Sequence, residues 1–208
     1  VDEDEPRDDG RRLRSERNRL AVIDALLGLY DQGVLEPSAS LIAEASGVSE
    51  RSVFRYFADL EDLAASALTR QFVQVLPYFA DPDPEGSMAQ RAEALVDQRI
   101  RLHDRMANLA RAAAFHAVRS PTMARAVADR RRMLRDQVAR QFAPEFEGLP
   151  SRRVRILLAG LDQVTSLEAL DYLRSDSGGS LSRRDLKVVL LDQIAALLAG
   201  AHLHEETP

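Results

Sequence analysis

The stretch Ser38-Ala-Ser-Leu-Ile-Ala-Glu-Ala-Ser-Gly-Val-Ser-Glu-Arg-Ser-Val-Phe-Arg-Tyr-Phe57 decides the fold of the N-terminal part of the chain, because it spells two short helices joined by a glycine turn. Ser38 is suited to cap the first helix. Leu41, Ile42 and Ala45 read as its inward face, and Ala43 is small enough to let the second helix cross closely. Gly47 supplies the left-handed backbone that a tight turn needs. Val48 fills the angle between the helices, Ser49 caps the second, and Val53 with Phe57 at i,i+4 anchors it to a core. The opposite face offers Glu50, Arg51, Ser52, Arg55 and Tyr56 to the outside. This is the layout of a helix-turn-helix: Arg and Ser pair with base edges, while Arg, Ser and Tyr hold phosphates. On these residues alone the alternative is an ordinary helical hairpin with a glycine cap and solvated arginines.

The flanks narrow the choice. Arg14, Arg17 and the apolar series Leu20, Ile23, Leu27, Tyr30 predict an amphipathic helix ending near Gly33, and Phe57-Ala-Asp-Leu-Glu-Asp-Leu63 opens another. Over about residues 14–68 the chain resembles the tetracycline-repressor (TetR) family of bacterial transcriptional regulators. That family's signature runs from a basic first helix through Ile-Ala-x-x-x-Gly-Val-Ser, here Ile42–Ser49, to Tyr-x-x-Phe-x-x-Lys-Glu-x-Leu, here Phe54–Leu63. Two positions depart from it: the usual Tyr is Phe54 and the usual Lys is Leu60. Both family side chains help hold phosphate, so the resemblance implies a weaker grip on the backbone or other donors, such as Tyr56, Arg55 and Ser38. The expected DNA-contacting set is Arg17, Ser38, Ser49, Arg51, Ser52, Phe54, Arg55 and Tyr56.

Composition bounds the rest. With 208 residues the chain has room for a small module and a larger helical core, and with no cysteine it has neither disulfides nor thiolate chemistry. No apolar run approaches the roughly 20 residues that span a bilayer, and the acidic N-terminus is unlike a secretory signal, so a cytoplasmic protein with no membrane partner is expected. The net charge of −5 argues mildly against DNA contact. Its distribution matters more. Asp2 to Asp9 hold six carboxylates against Arg7, whereas Arg11 to Arg19 hold five arginines against Glu16. The first block reads as a disordered tail and the second as a basic lead into the first helix, placed to reach phosphates or the minor groove.

Beyond residue 60 the pattern stays helical, with proline and glycine as punctuation. Helices are expected at about 60–79, 87–104, 106–118, 121–142, 150–174 and 182–200. No strand pattern and no repeat is found. The expected fold is all-α: an N-terminal three-helix DNA-binding module with a helix-turn-helix, then a six-helix regulatory and dimerisation domain, nine helices in total. The expected divisions are a disordered acidic tail over 1–12, the DNA-binding domain over 13–58, and an effector-binding and dimerisation domain over 59–203.

The last two predicted helices carry broad apolar stripes, Leu157, Leu158, Leu161, Val164, Leu167, Leu170 and Leu186, Val189, Leu190, Ile194, Leu197, Leu198. The family resemblance implies that this pair packs against its copy as a four-helix bundle, with Leu157, Leu161, Val164, Leu190, Ile194 and Leu197 in the seam. The resulting homodimer would place two recognition helices in successive major grooves of a palindromic site, about 34 Å apart. A purely intramolecular core is the alternative reading. Between the fourth and eighth helices lie Phe72, His103, Met106, Phe115, His116, Met123, Asp162 and Thr165, which the resemblance makes the site of a small, mostly apolar effector. Residue chemistry alone also fits plain core. His103 and His116 lack the spacing of a helical metal pair, and no nucleophile elbow, phosphate loop, zinc-protease motif or dinucleotide fingerprint occurs, so no metal, no cofactor and no enzyme is expected. The favoured reading is a repressor released from duplex DNA by a small molecule. A helical adaptor for a protein partner and an all-helical enzyme are the alternatives.

Overall fold

The structure, a computed structural model, describes residues 5–82 and 85–200, with side chains from Gly10 onward. The described residues are all-helical and form ten α-helices: α1 (Glu5–Asp31), α2 (Ala39–Ser46), α3 (Glu50–Tyr56), α4 (Leu60–Val75), α5 (Met88–Ala117), α6 (Pro121–Gln141), α7 (Ala143–Phe146), α8 (Ser151–Val164), α9 (Leu167–Arg174) and α10 (Arg183–Ala199). They divide into two compact units. The first comprises Val1–Gln74 and Asn108–Ala126, the second Val75–Ala107 and Val127–Pro208.

The all-α expectation holds, and the partition into helices differs at five places. α1 begins at Glu5, inside the stretch expected to be a tail; residues 1–4 lie outside the described residues. α4 stops at Val75, because Pro77 cannot donate a backbone hydrogen bond, and Leu76–Phe79 continues as a 3-10 turn. α5 runs unbroken through Asp104-Arg-Met106, where no glycine or proline stands to end it. The expected helix over 150–174 is split at Thr165-Ser166: Thr165 Oγ1 donates to the Leu161 carbonyl at 2.7 Å, and Ser166 caps α9 by accepting from the Ala169 amide. Finally, Ala143–Phe146 adds the short α7, with a proline in its first turn.

The first unit closes on Val22, Ile23, Leu26, Leu29 and Tyr30 of α1, with Ile42 and Ala43 of α2, Val53 of α3, and Leu63, Ala64 and Ala67 of α4. Leu109, Ala112 and Met123 complete this core from α5 and α6. α1 ends as its sequence suggests: Gly33 is left-handed at φ 83° and Val34 N–H reaches back to the Leu29 carbonyl. The second unit packs Leu95, Val96 and Ile100 of α5 with Val138 and Phe142 of α6, Leu161 of α8, Leu170 of α9, and Leu186, Leu190, Ile194 and Leu198 of α10. Gly160 lets α8 approach α10 closely, since a Cβ there would stand 3.2 Å from Leu197 Cδ2.

The residues expected in the dimer seam pack within the chain. Leu157, Leu161, Leu190 and Ile194 are buried within their own chain, and Val164 and Leu197 pack partly against the same cluster, so the stripes serve the chain's own core first. The outward faces of α8 and α10 carry other residues, among them Ile156, Ala159 and Gln163, and Val188, Asp192, Ala195 and Ala199. Leu161→Ala, which empties a fully enclosed site, is expected to cost about 2–5 kcal/mol, read as a lowered urea midpoint with an unchanged slope. A cost near zero would show that this side chain is not enclosed in the folded chain.

Candidate nucleic-acid interface

The turn between α2 and α3 is built from local chemistry. Ser38, in extended backbone, accepts from the Leu41 amide at 3.2 Å and starts α2; Gly47 ends it at φ 70°, with its N–H on the Glu44 carbonyl. Ser49 then accepts from the Ser52 amide at 3.2 Å and sits 2.9 Å from the Ser52 hydroxyl, so both serines serve the helix start. α2 buries Ala39, Ile42 and Ala43, positions one turn apart, whereas Leu41 and Ala45, read above as inward, are exposed. Of α3 only Val53 is buried, and Phe57 immediately after it is also buried.

Of the other α3 residues, Glu50, Arg51, Phe54 and Arg55 are exposed, while Ser52 is half-buried and Tyr56 packs partly against the core. Arg51 and Arg55 are exposed, and neither has a carboxylate partner among the described residues. Phe54 is 48% exposed, a phenyl ring offered on a basic face. Tyr56 is the organising residue. Its hydroxyl accepts from Arg55 Nη2 at 2.9 Å and from Asn18 Nδ2 at 3.4 Å, and the Arg55 guanidinium lies over its ring at 4.9 Å. The Arg55 hydrogen bond, followed by those of Asn18 and Ser15, pulls the phenol below its ordinary pKa. Asn18 ties this tyrosine to α1 across 38 residues of sequence, a contact for which no local signal exists. Arg17 is exposed on α1, where its Nε donates to the Leu13 carbonyl. The structure therefore puts Arg51, Ser52, Phe54, Arg55 and Tyr56 on one helix capped by Ser49, has Arg17 on α1, and leaves the Ser38 hydroxyl engaged as a cap at an exposed helix start.

No protein-family model and no curated protein sequence matches the chain. The backbone matches the crystal structure of a tetR-family transcriptional regulator from Streptomyces coelicolor with a TM-score of 0.71, over 92% of this chain and 84% of that one, at 22% sequence identity. A transcriptional regulator from Rhodococcus sp. Rha1 matches with a TM-score of 0.63, over 89% of this chain and 96% of that one, at 23% identity. The chain has the TetR-regulator fold.

The expected effector set is divided between the two units of that fold. Phe72, Phe115, His116 and Met123 fall in the first, and His103, Met106, Asp162 and Thr165 in the second. Phe72 and Phe115 are exposed, at 38% and 41%. His116 and Met123 line a cleft of about 210 Å³ with Leu26, Tyr30, Ile42 and Leu60, and His116 Nε2 lies 2.9 Å from the Leu35 carbonyl. In the second unit, His103 and Met106 are buried on α5, Thr165 is buried with its hydroxyl on Leu161, and Asp162 lies 3.4 Å from Arg135. No group of three or more His, Asp or Glu side chains converges as a metal site among the described residues. No helix among them is long and apolar enough to cross a membrane.

His103 carries a pH signature. Its Nε2 stands 3.3 Å from Asp171 Oδ1, yet burial outweighs the carboxylate and pushes its pKa below the ordinary value. The neutral ring is thus favoured in the folded state, while the unfolded chain takes up a proton near about pH 6.5. Its contribution is complete above that pH and is lost as pH falls below it, because the unfolded state then binds more protons. The urea midpoint should fall between pH 7.5 and 5.5, and His103→Gln, which keeps a donor for Asp171, should flatten that fall. Identical slopes in both proteins would assign the acid sensitivity elsewhere.

Proposed function

We propose that the chain is a homodimeric DNA-binding transcriptional regulator, a repressor that leaves a palindromic operator when a small molecule binds. It is a binding protein and not an enzyme. The observation that carries this reading is α3 itself. A short helix held by one buried side chain and its C-cap offers Arg51, Phe54, Arg55 and Tyr56 together, with no carboxylate on either arginine among the described residues. Arg51 suits a base edge, and Phe54 suits the methyl group of a thymine. Tyr56, Arg55, Ser52, Ser49, Ser38 and Arg17 suit phosphates, taking over from the missing Tyr and Lys at Phe54 and Leu60.

Two copies are required to engage two half-sites. The surface that supports self-association is the outward face of α8 and α10, where Ile156 and Val188 are 46% and 52% exposed beside Ala159, Ala195 and Ala199. Small residues let two such faces approach closely. An effector would act through α4, which carries Leu63, Ala64 and Ala67 of the first unit's core and whose last residue, Val75, belongs to the second unit. A ligand that binds one position of α4 better than another shifts the equilibrium between them, by no more than its difference in affinity.

Selection of duplexes from a random pool by the purified protein is expected to return a palindrome, with affinity falling steeply as salt rises. On that operator Arg51→Ala should cost about 1–3 kcal/mol and relax preference at one position per half-site. Tyr56→Phe should weaken all sequences alike. If titration at fixed salt gives wild-type affinity for both variants, α3 is not the reading helix.

In sedimentation the wild type should run at about twice 23.1 kDa. Ile156→Asp and Val188→Asp should each yield a monomer with full helicity, since neither side chain is enclosed in the single chain. A wild-type monomer at micromolar concentration would refute the interface.

A further inference from the structure

Three arginine side chains of the second unit are buried, and two of them lie against carboxylates: Arg91 on Glu145, and Arg130 on Glu168 at 2.7 Å. Arg99 does not. It is fully enclosed, and its guanidinium donates only to neutral oxygens: Nη1 to Gln98 Oε1 and, at 2.8 Å, to Gln137 Oε1, and Nη2 to the Leu134 carbonyl at 2.8 Å. Its Nε–H, shut off from solvent, has no acceptor, and no carboxylate among the described residues stands within ion-pair distance. Asp162 and Asp81 act on the charge only from further away, and burial lowers the pKa to about 10, which still leaves the group protonated at neutral pH. Burying a cation without a counter-ion is costly, so an apolar side chain of similar size would serve stability better. Retaining arginine there calls for an anion.

We propose that Arg99 anchors the carboxylate of a small, otherwise apolar ligand, whose oxygens take the places that Gln98 Oε1 and Gln137 Oε1 hold in the free protein. Both glutamines set a carbonyl oxygen on the same Nη1, a neutral substitute for a carboxylate that side-chain rotation can withdraw. The charged ligand makes stronger bonds to the guanidinium than the amides do and can also satisfy Nε. Leu95, His103 and Met106, on the same face of α5 one or two turns from Arg99, are buried and suit an apolar body.

The same glutamines give the site an outlet. Gln98 Nε2 donates to the Ala80 carbonyl at 2.8 Å, and Gln137 Nε2 donates to the Phe79 carbonyl, so Arg99 is linked through them to the turn that follows α4. Withdrawing them breaks both links to that turn. This rests on the regulator reading above and gives its effector a chemical class: a monocarboxylate.

The test uses the full chain labelled with ¹⁵N, in which the Nε–Hε signal of Arg99 is identified by its loss in Arg99→Lys. The probes are straight-chain acids from acetate to decanoate and benzoate, each paired with its primary amide. At least one acid is expected to move that signal and to raise Tm by about 4 °C, while its amide does neither. Arg99→Met should lose the response and, with an uncompensated charge removed, melt no lower than the wild type in acid-free buffer. The proposal is overturned if no acid moves the signal, if amides act as well as acids, or if Arg99→Met binds the acid unchanged. Should Arg99→Met not fold, the acid-against-amide comparison on the wild-type signal decides alone. Acid binding that leaves operator affinity untouched would keep the site and sink its regulatory role, whereas failure to select any DNA would sink the regulator reading without touching Arg99.

Discussion

Burial of Val53 and Phe57 in the first unit's core is the constraint on which the presentation of α3 depends. A helix of seven residues closes too few hydrogen bonds to persist alone, so its existence and its rotation come from what it packs against. Phe57, under the Arg19 guanidinium at 5.0 Å and next to the α1 and α4 core, ends the helix and fixes its exit. With one residue every 100° around a helix, fixing Val53 fixes the outward direction of Arg51, Phe54 and Arg55. Asn18 then holds Tyr56, and Tyr56 holds Arg55, so the outward arginine is oriented through a contact from α1.

The second unit is ordered by a different means, polar bonds within its interior. Arg91 Nε donates to the Gln141 carbonyl while Gln141 Nε2 donates to the Arg91 carbonyl, at 3.1 and 3.0 Å, a reciprocal pair that sets the register of α5 on α6. Gln98, Arg99 and Gln137 form a second such group one or two turns along. Fully satisfied networks of this kind select one packing among several. In this group the Nε of Arg99 is unpaired, as are the Nε of Arg130, the Nδ1 of His103 and the Oε2 of Glu145 elsewhere in the unit, and Arg99 differs from Arg130 in having no carboxylate against it.

What was legible in the sequence was local. Ser38, Gly47 and Ser49 act within four residues of themselves, so their roles follow from their own chemistry, and the helix-turn-helix was readable from them. The break at Ser166 was also written locally, as a serine cap, but the apolar spacing on either side of it masks the signal. The continuity of α5 was missed for the opposite reason: the charged stretch around Asp104 looks like an end, although nothing in it forbids a helix. Which side of an apolar stripe is covered by the chain itself depends on partners far along the sequence. Leu161 and Leu190 could therefore be recognised as buried, but not as buried within one chain. The effector residues suffered most, because histidine, methionine and phenylalanine at helical spacing look alike in a cleft, a core or a surface. Arg99 shares its face with Leu95, His103 and Met106, a local sign that it turns inward, but its enclosure depends on Leu134 and Gln137 of another helix.

The acidic total is reconciled with a nucleic-acid interface by where the charges are used. In the second unit, carboxylates and arginines largely answer one another: Arg130 and Arg131 share Glu168, Arg135 meets Asp162, Arg140 meets Asp81, and Arg174 and Arg183 share Asp104. These pairs cancel at short range and project little field beyond a Debye length. In the first unit, Arg17, Arg51 and Arg55 have no carboxylate partner among the described residues, so their charge is offered outward whole. A polyanion approaching α3 meets that local field, because the −5 of the whole chain is an average over surfaces it never touches. Net charge is therefore a weak argument against DNA binding here. The pairing of individual arginines is the better guide to which face of the molecule meets phosphate.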